Sequence, residues 1–156
     1  MGTNFYLKRK LKQYQKEEIK EAIDSDNYDK AEEMLQKTKE IHIGKRSGGW
    51  KFLWDAHEFK YFEPNKDSLN EFLKSGQIVD EYNKEFTFDQ FWNEELKGWL
   101  DKGYDLESFY KSNPKEYKHY VDLKSLKPFE KYNLNINQYG EFDVEGLRFT
   151  IYEDFA

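Results

Sequence analysis

The chain has 156 residues, 37% of them hydrophobic, 36% charged and 19% aromatic, with a formal charge of −6. That is the size of one ordinary domain, and thirteen Phe, twelve Tyr and four Trp give it a core built on rings, which excludes a disordered chain. The acidic balance, 25 Lys and Arg against 31 Asp and Glu, excludes a general nucleic-acid binder, and the absence of cysteine excludes disulfides and thiolate metal sites.

Asn4 to Lys8 alternates, with Phe5 and Leu7 on one side, and predicts an opening strand. A charged helical hairpin follows. Its first helix spans about 11–24 with Ile19, Ala22 and Ile23 on one face, and its second spans about 28–39 with Tyr28, Ala31, Met34 and Leu35 on one face. Ser25, Asp26 and Asn27 between them offer capping side chains. The segments 41–43 and 50–54 read as two strands of a hairpin, with Trp50, Phe52 and Trp54 sharing a face.

Between those strands lies the stretch most suited to hold a ligand, Gly44-Lys45-Arg46-Ser47-Gly48-Gly49. Glycines there allow close approach to the main chain, and Lys45, Arg46 and Ser47 supply charge and donors for an anion. His42 precedes the loop and Trp50 follows it, so the candidate ligand-binding set is His42, Gly44, Lys45, Arg46, Ser47, Gly48, Gly49 and Trp50. The alternative, a plain β-turn with solvated cations, carries the greater weight on residue content alone. The spacing is not that of a phosphate-binding Walker loop, because a strand follows where a helix is needed.

Farther along, 65–73 predicts a helix after Pro64 with Asp67 or Ser68 near its start, and 77–82 a strand. Thr87 caps a helix with a broad apolar stripe, Phe88, Phe91, Trp92, Leu96, Trp99 and Leu100, ended by Gly103. Residues 104–120, interrupted by Pro114, suggest short helices or an irregular lid. The segments 134–137, 141–144 and 147–153 predict a strand meander. In it Leu147, Phe149 and Ile151 face the core, Arg148, Thr150 and Tyr152 face outward, and Arg148 neighbours carboxylates across the ladder. The fold class is α+β: a small mixed or antiparallel sheet with packed helices and 11–39 as an inserted hairpin, all in a single domain.

His42, His57 and His119 are the only histidines. Two of them could flank a site with Asp55 or Glu58, but no tight histidine spacing supports a metal, no serine sits in an elbow motif, and Glu94 and Glu95 point apart on a helix. Neither a metal, a cofactor nor a catalytic set is therefore expected. Trp50, beside the cationic loop, is the best stacking candidate, while core packing is favoured for Trp92 and Trp99. No apolar run reaches membrane-spanning length and the start lacks a signal-peptide core, which predicts a cytoplasmic protein without membrane contact. The aromatic excess leaves surface for self-association.

The opening Met1-Gly2-Thr3-Asn4-Phe5-Tyr6, the segment His42-Ile43-Gly44-Lys45-Arg46-Ser47-Gly48-Gly49-Trp50-Lys51-Phe52 and the closing Glu145-Gly146-Leu147-Arg148-Phe149 together resemble a family of small bacteriophage proteins, mostly uncharacterised. Many members that it resembles carry a cysteine-containing, zinc-ribbon-like insert where this chain has its helical hairpin, so no zinc-dependent property carries over. The resemblance implies a phage-encoded accessory protein acting in the host bacterial cytoplasm. With the loop, it leads to a non-enzymatic protein that binds an anionic, nucleotide-like ligand and counteracts a host defence. Two alternatives stand beside it. One is an acidic inhibitor in which the hairpin and 141–145 mimic nucleic-acid charge against a host or defence enzyme; the weaker one is an enzyme acting on a nucleotide with His42 as base.

Overall fold

A computed structural model describes residues 2–47, 51–100, 123–137 and 140–151. Seven strands form one mixed sheet: β1 (Gly2–Lys8), β2 (Ile41–Ser47), β3 (Leu53–Asp55), β4 (Gln77–Asp80), β5 (Glu85–Phe86), β6 (Glu141–Val144) and β7 (Leu147–Thr150), in the order β5-β4-β1-β2-β3-β7-β6. The α+β expectation holds. Every neighbouring pair is antiparallel except β3 and β7, which run parallel with Trp54 opposite Phe149 and Asp55 opposite Thr150. That one pairing joins the hairpin and the terminal meander into a single sheet.

One sheet face carries the core. Phe5, Leu7, Trp54, Phe149 and Phe142 project from it and are buried with Phe52 and Phe91, and the rings meet edge to face or tilted, Phe5 to Phe91 at 5.1 Å and Phe52 to Trp54 at 4.5 Å. Helix α3 (Lys66–Lys74) contributes Leu69, Phe72 and Leu73 to the same core. Its cap is Asn65, whose side-chain oxygen accepts from the Ser68 amide at 2.8 Å. Thr87 starts the aromatic helix through a reciprocal box: its hydroxyl accepts from the Gln90 amide at 3.1 Å, and the Gln90 side chain accepts from the Thr87 amide at 3.0 Å. This segment widens into a π-helical turn at Gln90–Glu95 and gives way to turns well before the predicted stop at Gly103; Gly98, with φ +80°, takes the left-handed conformation there. Phe91 and Leu96 are fully buried and Phe88, Trp92, Trp99 and Leu100 pack partly buried against the core, as the stripe predicts.

The hairpin is α1 (Gln13–Asp24) and α2 (Tyr28–Gln36), inserted between β1 and β2. The Asn27 side chain caps α2 by accepting from Lys30 N at 3.4 Å. Its apolar contact is smaller than the periodicity suggests. Ile19, Ala22, Ala31 and Met34, with Leu11, form a cluster separate from the main core, whereas Ile23, Tyr28 and Leu35 are exposed. Two helices with no third layer bury only the stripe where they touch.

The second sheet face corrects two further expectations. Arg148 and Thr150 are buried rather than outward-facing, as is Glu141 opposite Thr150. Arg148 does meet a carboxylate across the ladder, donating from Nε to Asp143 Oδ1 at 3.1 Å. Residues 134–137 are not a sheet strand, although Asn137 donates its amide to the Glu141 carbonyl at 3.0 Å. The predicted lid at 104–120 and the end of the last predicted strand lie outside the described residues.

Candidate functional site

Three side chains far apart in sequence meet on the polar face of the sheet. His42 Nδ1 donates to Asp55 Oδ2 at 3.0 Å, and His42 Nε2 lies 2.9 Å from Asn4 Oδ1. Asp55 also accepts, at Oδ1, from the backbone amide and from the Nδ1 of His57, both at 3.0 Å. The first of these caps the 3-10 turn Ala56–Lys60, so one carboxylate bridges two imidazoles and starts the next element.

A bulge makes this geometry. Phe5 pairs with Gly44 but Tyr6 pairs with His42, which leaves Ile43 as the extra residue on β2. Without that shift His42 would pair with Leu7 on the core face; with it, His42 shares the face of Asn4 and Tyr6, its ring 5.4 Å from that of Tyr6. With both ring nitrogens facing oxygens, His42 donates twice only as an imidazolium, and a neutral ring requires the Asn4 amide turned end for end.

Burial pushes the Asp55 carboxyl up, but the hydrogen bonds from the His42 and His57 rings and the His57 amide outweigh it and hold the group at about 2. Glu58 moves the other way: burial, then the Asp55 charge, raise its carboxyl above the usual value. Tyr6 is likewise raised, by burial and then by Glu81 and Glu40.

His42 and Glu58 open onto a cleft of about 560 Å³ at the base of the helical hairpin. Arg9 from the segment leaving β1, Lys37 and Lys39 from the segment leaving α2, and Lys60 from the 3-10 turn line it. Of its two carboxylates, Glu40 is paired with Lys8 at 3.3 Å, so the cleft is cationic in an acidic protein. Tyr61 forms one wall, stacked on Phe72 at 5.8 Å and covered by the Arg9 guanidinium at 4.5 Å. Arg9 Nε is buried without a hydrogen-bond partner.

Among the sequence-predicted ligand residues, His42 reaches this cleft. Gly44, Lys45, Arg46 and Ser47, expected in a loop, instead continue β2 and pair with β1, Gly44 opposite Phe5 and Ser47 opposite Gly2. Gly44 has a packing reason, since a Cβ there would collide with the Phe52 ring and the Leu53 carbonyl. Gly44→Ala is expected to cost about 1–3 kcal/mol through overpacking, read as a drop in the urea midpoint at unchanged slope. Arg46 is ion-paired with Glu95 and lies 5.4 Å from the Trp99 ring centre. Gly48, Gly49, Trp50 and His119 lie outside the described residues. Asp55 and Glu58 do join His42 and His57, yet among the described residues no three His, Asp or Glu are arranged to hold a metal ion. Asn4, Arg9, Lys37, Lys39 and Lys60 were not among the predicted site residues; the basic run Lys8-Arg9-Lys10 is a local signal for Arg9 alone. Among the described residues no helix is long and apolar enough to cross a membrane.

Fold and site thus define the class: an α+β protein with a mixed seven-stranded sheet, an inserted helical hairpin and a cationic cleft where the two join. Beyond that class no relative is found, because no protein-family model, curated protein or solved structure matches the chain.

Proposed function

We propose that the protein binds a small phosphate-bearing anion, nucleotide-like in class, in the cleft between the hairpin base and the sheet. The carrying observation is the convergence of Arg9, Lys37, Lys39 and Lys60 on one concavity in a chain of net charge −6, with a buried Arg9 Nε that lacks an acceptor. Multiple ammonium and guanidinium groups around a recess raise local anion concentration and meet several phosphate oxygens at once. The Tyr61 ring at the wall holds the Arg9 guanidinium over its face and so fixes that cation beside the cleft. Engagement of both His42 nitrogens within the protein favours a holding role for it over proton transfer. Taken with the resemblance to bacteriophage proteins, the reading is of a non-enzymatic accessory protein that sequesters a nucleotide signal of host defence.

The test is native mass spectrometry of the purified protein, then thermal-shift screening against mono-, di- and cyclic nucleotides. A ligand at a hundred times its Kd stabilises by about 2.7 kcal/mol, which raises Tm by roughly 5–10 °C in a chain of this length. That shift is expected to vanish in Lys37→Ala/Lys39→Ala and to survive in Lys45→Ala. Loss in Lys45→Ala alone would return the site to the glycine strand, and no shift across the panel would overturn ligand binding.

A further inference from the structure

Glu58 is the odd group in the cleft. It is a half-buried carboxylate lining a recess whose other charges, once Glu40 is paired with Lys8, are cationic. The charges that face it come from every neighbouring element: Asp55 from β3, His42 from β2, His57 and Lys60 from its own turn, and Arg9, Lys37 and Lys39 across the cleft. Asp55 already holds one ring nitrogen of each histidine, and among the described residues no ion pair reaches the Glu58 carboxylate. Glu58 therefore keeps a charge that any entering anion must approach.

On the reading that the cleft binds a phosphate-bearing anion, we propose that Glu58 is its specificity-determining residue: anion entry is coupled to uptake of one proton by the Glu58 carboxyl. In its ionised form Glu58 opposes a second negative charge in the same partly desolvated recess. Protonated, it turns from a repelling acceptor into an O–H donor that an anionic oxygen accepts from. Burial and the Asp55 charge already move the free carboxyl towards that state, and a bound anion moves it further the same way. Between the free and bound pKa, affinity consequently rises as pH falls, by at most about tenfold per pH unit for one proton. Phosphate groups that carry one charge are thereby favoured over those that carry two at neutral pH.

The probe is inorganic sulfate, whose charge is constant across the range, titrated by NMR from pH 7.5 to 5 at ionic strength held with chloride. Sulfate affinity is expected to rise steeply as pH falls in the native protein. Glu58→Gln, which keeps the shape and removes the charge, should bind about tenfold more tightly at pH 7 and show a shallower profile. Glu58→Ala gives the same readout should the glutamine variant fold poorly. Equal affinity and slope in native and variant proteins, with binding still abolished by Lys37→Ala/Lys39→Ala, would overturn the role of Glu58 and leave the cleft standing. Absence of sulfate binding in all of them at every pH would overturn the cleft reading and this proposal with it.

Discussion

Replacing Asp55 by Asn is expected to destabilise the protein by about 3 kcal/mol, since removing one partner of a buried charged network leaves the others uncompensated. Tm should fall by roughly 6–12 °C at pH 7, measured by circular dichroism. Three bonds of 3.0 Å depend on this carboxylate, one from His42 and two from His57, and an amide cannot accept at both ends. The pH dependence has a defined sign. The Asp55 carboxyl sits at about 2 in the fold against an ordinary 3.8, so its stabilisation, about 2 kcal/mol, is fully present above pH 4. It is lost as pH falls from about 4 towards 2, and the gap between native and Asp55→Asn proteins should narrow over that window. A variant within about 2 °C of the native Tm at pH 7 would sink the view that the bridge holds β1, β2 and the 56–60 turn together.

The second large effect is Trp54→Ala. Trp54 is fully buried, its ring 4.5 Å from Phe52, 6.2 Å from Phe91 and stacked at 5.8 Å on Trp92. Truncating it removes the side chain that joins the hairpin strand to the aromatic helix, at a cost of about 3–5 kcal/mol. Trp54→Phe should be far milder, under about 2 kcal/mol, because the indole Nε1 is buried without a hydrogen-bond partner and its removal forfeits no bond. Chemical denaturation of the two variants side by side decides this. Comparable losses would mean that the full indole, and not simply an aromatic ring, is what the core needs at this position.

These two neighbours show how differently sequence speaks for core and site. Trp54 was legible as an aromatic sharing a strand face with Phe52, which left core packing and ligand stacking both open, and the fold buries it completely. Asp55 was legible only as one of several carboxylates near a histidine. Its partner His42 lies 13 residues away and Asn4 another 38 from His42, and nothing local says that these will touch. The glycine segment was the reverse case. Its composition suits a loop, yet Gly44 to Ser47 continue β2, because pairing with β1 satisfies the backbone and Phe52 fills the space a side chain would have taken.

What the sequence by itself determined is the local layer: the α+β class, the positions of most strands and helices, the capping at Asn27 and Thr87, and the core faces of β1 and β7. Periodicity and capping act over a few residues and are written in consecutive side chains. Tertiary structure alone decided the parallel β3 and β7 pairing, the bulge that turns His42 to the polar face, the burial of Arg148 and Thr150, and the convergence of Arg9, Lys37, Lys39 and Lys60 on one cleft. Alternation tells which residues share a side of a strand but not whether that side will be covered. Long-range pairing is chosen by the summed packing of the whole core, and no short stretch of sequence carries that sum.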